Sequence, residues 1–119
     1  MALKRDKYDK AASELVRAIN RHTCQKCGIQ GRMEAAHIFG RRHARTRYDM
    51  DNLTCLCHSC HRYFTENPVF FFDWLIEYFG EEYIDQLRLK AWKVKKWKKG
   101  ERDLIYKEMR LKLKQLETV

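Results

Sequence analysis

The residue types able to do chemistry gather in the first half of this 119-residue chain. Cys24 and Cys27 form one Cys-x-x-Cys pair, and Cys57 and Cys60 form a second. Between the pairs lies Glu34-Ala35-Ala36-His37-Ile38, and the second pair runs directly into His61. Four thiolates at this spacing suit tetrahedral Zn²⁺, because each pair chelates from one turn and two turns close the coordination sphere. A closed site does no chemistry; its binding free energy becomes folding free energy. The pattern predicts a structural Zn²⁺ on Cys24, Cys27, Cys57 and Cys60, with the histidines held in place by it. A redox role for the two pairs lacks the strand–helix surroundings that a thioredoxin-like site requires. Cys55 alternates with Cys57 in an apolar stretch and reads as a buried free thiol.

The elements that must position these groups follow from periodicity. Residues 6–20 read as a helix with Tyr8, Ala12, Leu15 and Ile19 on one face and Asp6 near its start. Residues 24–31 form a cysteine turn, in which Gly28 allows the backbone conformation that turns amides toward sulfur. Residues 32–38 and 52–56 read as short strands, the arginine-rich stretch 39–51 as the loop between them, and 58–66 as a helix starting inside the second cysteine pair. Asn67-Pro68 reads as a helix start, with a capping side chain and proline at the first helical position. The helix 68–79 is apolar nearly all round, which predicts a central core element, with an interface element as the alternative. Residues 81–98 form a further helix with the stripe Ile84, Leu87, Ala91 and Val94. Gly100 breaks it, and 102–117 form the last, with Ile105, Met109, Leu113 and Leu116 as its stripe. The fold class expected is α+β, mostly helical: an N-terminal helix (6–22), a zinc-stapled module (23–67) and a C-terminal set of about three helices (68–119), all within one domain.

Twenty-nine residues separate Cys27 from Cys57, room for a hairpin with a long loop. His37 ends the first strand, Asn52 starts the second, and His61 lies just inside the following helix. The order Cys24–Cys27, His37-Ile38, Asp49-Met50-Asp51-Asn52-Leu53 and Leu56-Cys57-His58-Ser59-Cys60-His61 resembles the zinc-stapled branch of the HNH (ββα-metal) endonuclease superfamily. The stretch from His37 to Pro68, with Gly40-Arg41-Arg42, Thr65 and Asn67-Pro68, further resembles small phage HNH proteins grouped with recombination nucleases of the NinG/Rap type. The resemblance spans roughly residues 10–90 and implies a treble-clef-like ββα-metal module that hydrolyses phosphodiester bonds of DNA with one divalent cation. It makes His37 the general base and gives Asn52 the task of fixing the loop or the ring orientation. It makes His61 the ligand of Mg²⁺, Mn²⁺ or Ni²⁺ at the scissile phosphate. Arg41, Arg42, Arg45 and Arg47 would grip flanking phosphates. The departure from the family pattern is Ala36, which stands where many members carry an acidic ligand. Glu34, with Asp49 and Asp51 as further substitutes, could supply the missing carboxylate. Ala36 also keeps a second reading open, a zinc-stabilised DNA-binding module without catalysis. A third is an assembly factor using the aromatic helix 68–79.

Charge agrees with a polyanionic partner: 25 Lys and Arg against 16 Asp and Glu give a net charge of +9. Between Arg88 and Lys114, twelve basic residues meet three acidic ones, which reads equally as a solvated helix face or a DNA-contacting one. Trp92 sits among those lysines, fit either to cover a core edge or to stack on a base or sugar. No apolar run reaches the length of a membrane span, and no apolar stretch follows the basic start Met1–Arg5. These features predict a protein of the reducing cytoplasm, the host's if the chain is phage-encoded. Monomer and homodimer are both compatible with the sequence.

Overall fold

The computed structural model describes residues 3–118, which form a mostly helical α+β structure with five α-helices and one two-stranded sheet. Helix α1 (Lys7–Ile19) starts at a reciprocal cap: the Asp9 amide donates to Asp6 Oδ1 at 2.8 Å, and the Asp6 amide donates to Asp9 Oδ2 at 2.9 Å. These bonds satisfy two of the amides that a helix start leaves without partners. Strand β1 (Met33–His37) pairs antiparallel with β2 (Leu53–Cys57), running from Met33 opposite Cys57 to His37 opposite Leu53. Helix α2 (His58–Glu66) follows at once, so the second cysteine pair lies where strand becomes helix.

Helix α3 (Pro68–Phe79) starts at Pro68 as expected, but the Asn67 side chain does not cap it; its Nδ2 donates back to the Tyr63 carbonyl of α2. Only Leu75 of α3 is buried, while Val69 and Phe70 are 71% and 53% exposed. The helix is therefore not the central core element. Its neighbours α2 and α4 cover only part of its circumference, so apolar residues all round exceed the surface available to bury them. Gly80, at φ +97°, ends it with an amide bonded to the Ile76 carbonyl, a conformation that costs other residues more.

Helix α4 (Glu81–Ala91) buries Ile84, Leu87 and Ala91, but it stops seven residues short of the expected end, and Val94 is 86% exposed. Four lysines at 93, 95, 96 and 98 would crowd one helical turn after another. Tertiary contacts instead take the tryptophans out of the helical path. Trp92 stacks on His43, and Trp97 donates its indole N–H to the Ala44 carbonyl at 2.6 Å. Gly100 does not break a helix; it lies in the first turn of α5 (Lys99–Glu117). Met109 and Leu113 bury the α5 stripe against Ala11, Ala12, Leu15 and Val16 of α1, whereas Leu116 is exposed.

Three apolar clusters result. One joins α1, α5 and Leu53. A second places Cys24, Met33, Ala36, Cys55, Leu56 and Phe64 between the sheet and α2. The third packs Ile38 and Phe39 onto α3 and α4. The sheet sits between α1 and α2 and carries His37 at one end, the cysteine pairs at the other.

Candidate metal centre and strand-end cleft

The turn carrying Cys24 and Cys27 is closed by an isolated bridge between Thr23 and Gln30 and by the Gly28 amide bonding the Cys24 carbonyl at 2.9 Å. Gly28 has φ +80°. The Cys27 amide points at Cys24 Sγ from 3.5 Å. The sulfurs of Cys24, Cys27, Cys57 and Cys60 all lie within 4.8 Å of one another, and Cys27 and Cys57 Sγ are 3.8 Å apart. Zinc–sulfur bonds of about 2.3 Å in a tetrahedron require sulfurs ~3.8 Å apart, so the four side chains fit a structural Zn²⁺. Electrostatics agrees. Burial opposes ionisation of Cys24, yet the amides of Cys27, Cys57 and Lys26 outweigh it and bring its pKa down to about 6. Burial and then the neighbouring sulfurs push the Cys60 thiol strongly upward. Such a cluster ionises fully only with a cation at its centre. Cys55 stands apart as the buried thiol expected, with burial pushing it up to about 11.

One cleft of about 560 Å³ runs along β1 from His37 and Arg41 to Glu34 and His61 beside the cysteine end, and Arg5, Arg17 and Arg32 also line it. His37 Nε2 lies 3.1 Å from the carbonyl oxygen of Arg47. A carbonyl only accepts, so Nε2 carries the proton and Nδ1 of the neutral ring is left with its lone pair. Burial lowers the His37 pKa below the ordinary histidine value, and the Arg41 and Arg47 charges add to that. Glu34 places one carboxylate oxygen 2.8 Å from His61 Nδ1 and the other 3.0 Å from His58 Nδ1. Burial alone would raise the Glu34 pKa, but the bonds from His58 and His61 hold it below the usual carboxylate range. Both rings thus present Nδ1 to Glu34, which leaves His61 Nε2 uncommitted. Ala36 is buried in the sheet–α2 cluster, so its place is taken up by packing, and Glu34 brings the carboxylate to the cleft rim. Asp49 is paired with Lys90, and neither it nor Asp51 lines this cleft.

Asn52 is fully buried. Its Nδ2 donates to the carbonyls of Phe39 at 2.8 Å and Thr46 at 3.2 Å, and its Oδ1 accepts from the Phe39 amide at 2.8 Å. These bonds tie the loop after β1 to the start of β2; they do not reach the His37 ring. The four loop arginines separate. Arg41 faces the cleft and Arg42 is exposed. Arg45 reaches the Val94 carbonyl at 3.4 Å. Arg47 turns inward and forks onto Asp9 of α1 at 2.7 and 3.1 Å, so its guanidinium is engaged within the fold.

A family model described as the bacteriophage lambda NinG protein matches residues 3–118. The chain belongs to the NinG family. Neither the curated proteins nor the solved structures give a match.

In this NinG-family chain the sequence motifs left Asp9 unnoticed. Asp9 is 5% exposed, and the Arg47 guanidinium overcomes the effect of burial to keep its carboxyl ionised. Asp9 holds the very residue whose carbonyl fixes the His37 ring. A signal was present: Asp9, Ser13 and Arg17 recur four residues apart along α1, and all three line the cleft. Arg5 and Arg32 carried no such signal. Replacement of Asp9 by alanine leaves the half-buried Arg47 with only the longer Asp6 contact at 3.4 Å, at an expected cost of about 3 kcal/mol in folding stability. Urea denaturation would register it as a lower midpoint with unchanged slope.

Proposed function

We propose that this chain is a metal-dependent DNA endonuclease of the HNH type, acting on branched or recombination DNA in a phage context. The observation that carries the reading is the His37 ring, with its Nε2 proton anchored on the Arg47 carbonyl, in one cleft with Glu34, His61 and four arginines. The hairpin followed directly by α2, stapled by the four cysteines, agrees with a ββα-metal module, and membership of a phage protein family agrees with the context.

Hydrolysis needs a base for the attacking water, and Nδ1 of His37 takes that proton as the water oxygen bonds phosphorus and the bond to the leaving oxygen breaks. The resulting imidazolium keeps its bond to the Arg47 carbonyl, with the Asp9 carboxylate nearby to favour the charge. Arg5, Arg17, Arg32 and Arg41 give the cleft the donors that hold phosphate oxygens. A divalent cation on His61 Nε2 would stabilise the charge developing on the phosphate. Glu34 would meanwhile orient the His61 ring.

One observation favours the alternative, a zinc-stabilised DNA-binding module without catalysis. Among the described residues, the four cysteines are the one group of three or more His, Cys, Asp or Glu side chains close enough to hold an ion. Cleavage of supercoiled plasmid and of a four-way junction with Mg²⁺, Mn²⁺ or Ni²⁺ separates the two. Cutting supports the nuclease; DNA binding without cutting under any of the ions supports the module.

The lowered His37 pKa sets the expected pH profile. The base form persists below the ordinary histidine range, so kcat/KM is flat at neutral pH and its acidic limb, tenfold per pH unit, lies below that range. Linkage has the matching sign. Between the lowered pKa and the ordinary one the unfolded chain binds more protons, so this group's contribution to stability declines as pH falls through that window. A rate profile with its acidic limb above the ordinary histidine value would contradict the assignment.

A further inference from the structure

We propose that Trp92, braced on His43, is a stacking platform for an unpaired base of a DNA strand. The proposal rests on the DNA reading above and names a subsite outside the strand-end cleft. Trp92 is 60% exposed, although it is the largest side-chain type. One face of its ring lies on His43, with centroids 4.4 Å apart and planes 25° from parallel. Phe39 meets it edge-on at 5.6 Å and 88°. Both contacts come from the loop that Asn52 pins, so the ring is held in a fixed orientation with its second face open.

The neighbouring tryptophan shows how a half-buried indole sits in the same segment. Trp97 lies against the Tyr48 ring at 5.8 Å and has its indole N–H satisfied by Ala44. Covering Phe39 alone would be better served by laying the indole face on it; the edge contact leaves that area in water. The flanking chain is cationic: Lys93, Lys96 and Lys98 after Trp92, and Arg42 before His43, are exposed. No acidic residue lies between Asp85 and Glu101. An open aromatic face among cations suits single-stranded nucleic acid, because every base has a π-face and its flanking phosphates need counter-charge. Paired bases within a duplex are already stacked on both faces, so the platform selects an unpaired nucleotide.

The test uses the full chain and two DNAs, a blunt duplex and the same duplex with a short single-stranded tail carrying 2-aminopurine. Wild type is expected to quench the 2-aminopurine and to prefer the tailed DNA. Trp92→Ala should lose the quenching and bind the tailed DNA about tenfold more weakly, with blunt-duplex affinity within about twofold of wild type. Trp92→Phe retains an aromatic face and should recover most of the quenching, which separates stacking from loosened packing around Phe39. Unchanged affinity of Trp92→Ala for the tailed DNA, an equal loss on both DNAs, or a Phe variant that behaves like the Ala variant overturns the platform and leaves the nuclease reading standing. Failure of the wild type to bind either DNA overturns both.

Discussion

His37→Ala is expected to lower metal-dependent cleavage about a thousandfold while leaving DNA affinity within a few-fold of wild type. The size follows from the role: removing a positioned base leaves the water to lose its proton to solvent, whereas the arginines that hold the phosphates are untouched. His37 is a strand-end residue whose ring makes one hydrogen bond, to the Arg47 carbonyl. Its loss therefore leaves that half-buried carbonyl without a partner but opens no large core cavity, a cost of about 1–2 kcal/mol. Plasmid nicking at saturating DNA, with a thermal melt of the variant alongside, checks both parts. Retention of wild-type cleavage by the alanine variant would remove His37 from the mechanism.

Removing the structural metal has the largest expected effect on folding. The turn at Cys24–Cys27 is closed on itself by the Cys24 amide on the Ile29 carbonyl, and is anchored to the fold by the Gln25 amide on the Cys55 carbonyl and by the Gln25 side chain, which accepts from the Cys55 amide and donates to the Tyr78 hydroxyl. Without Zn²⁺, four sulfurs held within 4.8 Å would have to stay protonated or repel one another. Zinc binding in such sites is worth on the order of 10 kcal/mol, comparable to the whole stability of a small domain. A strong chelator, or Cys57→Ser, should therefore unfold the cysteine turn and the start of α2, and the sheet between them should lose its register. Circular dichroism would show loss of helix that zinc restores in wild type, and metal analysis should find one Zn²⁺ per chain. Full native helicity in the metal-free protein would show that the apolar clusters suffice without the staple.

The two expected results differ in what the sequence could reveal. The four-cysteine cluster was legible because chelate spacing is a local property of two turns, each within three residues of chain. The hairpin and α2 were equally legible, from a cysteine pair, a polar loop and a second pair in order. The boundaries of α2 and α3 follow from Cys57 and Pro68, which act on their nearest neighbours. Asp6 as the cap of α1 is local in the same sense.

Other features depend on partners distant in the chain. The end of α4 depends on Trp92 meeting His43 and on Trp97 meeting Ala44, 53 residues away. Helical periodicity through Val94 could not anticipate that, because the stripe and the tryptophans compete for the same backbone. The division of the arginines has the same origin. By spacing, Arg41 and Arg47 are alike; in the fold Arg47 meets Asp9, 38 residues away, and becomes part of the frame behind His37. Helix α3 looked like a core element because composition reports how much apolar surface a helix has, not how much its neighbours can cover.

The order of residues by itself determined the mostly helical α+β class, the tetra-cysteine centre and the polar side chains at the ends of two strands and a helix. These are consequences of chelate spacing, caps and periodicity, which act within a few residues. Only the tertiary structure decided that Glu34 meets His58 and His61, that Asp9 fixes Arg47 behind His37, and that Trp92 keeps an open face. Charge pairing and ring stacking at these places join segments tens of residues apart, and their geometry exists only once the clusters around the sheet have packed.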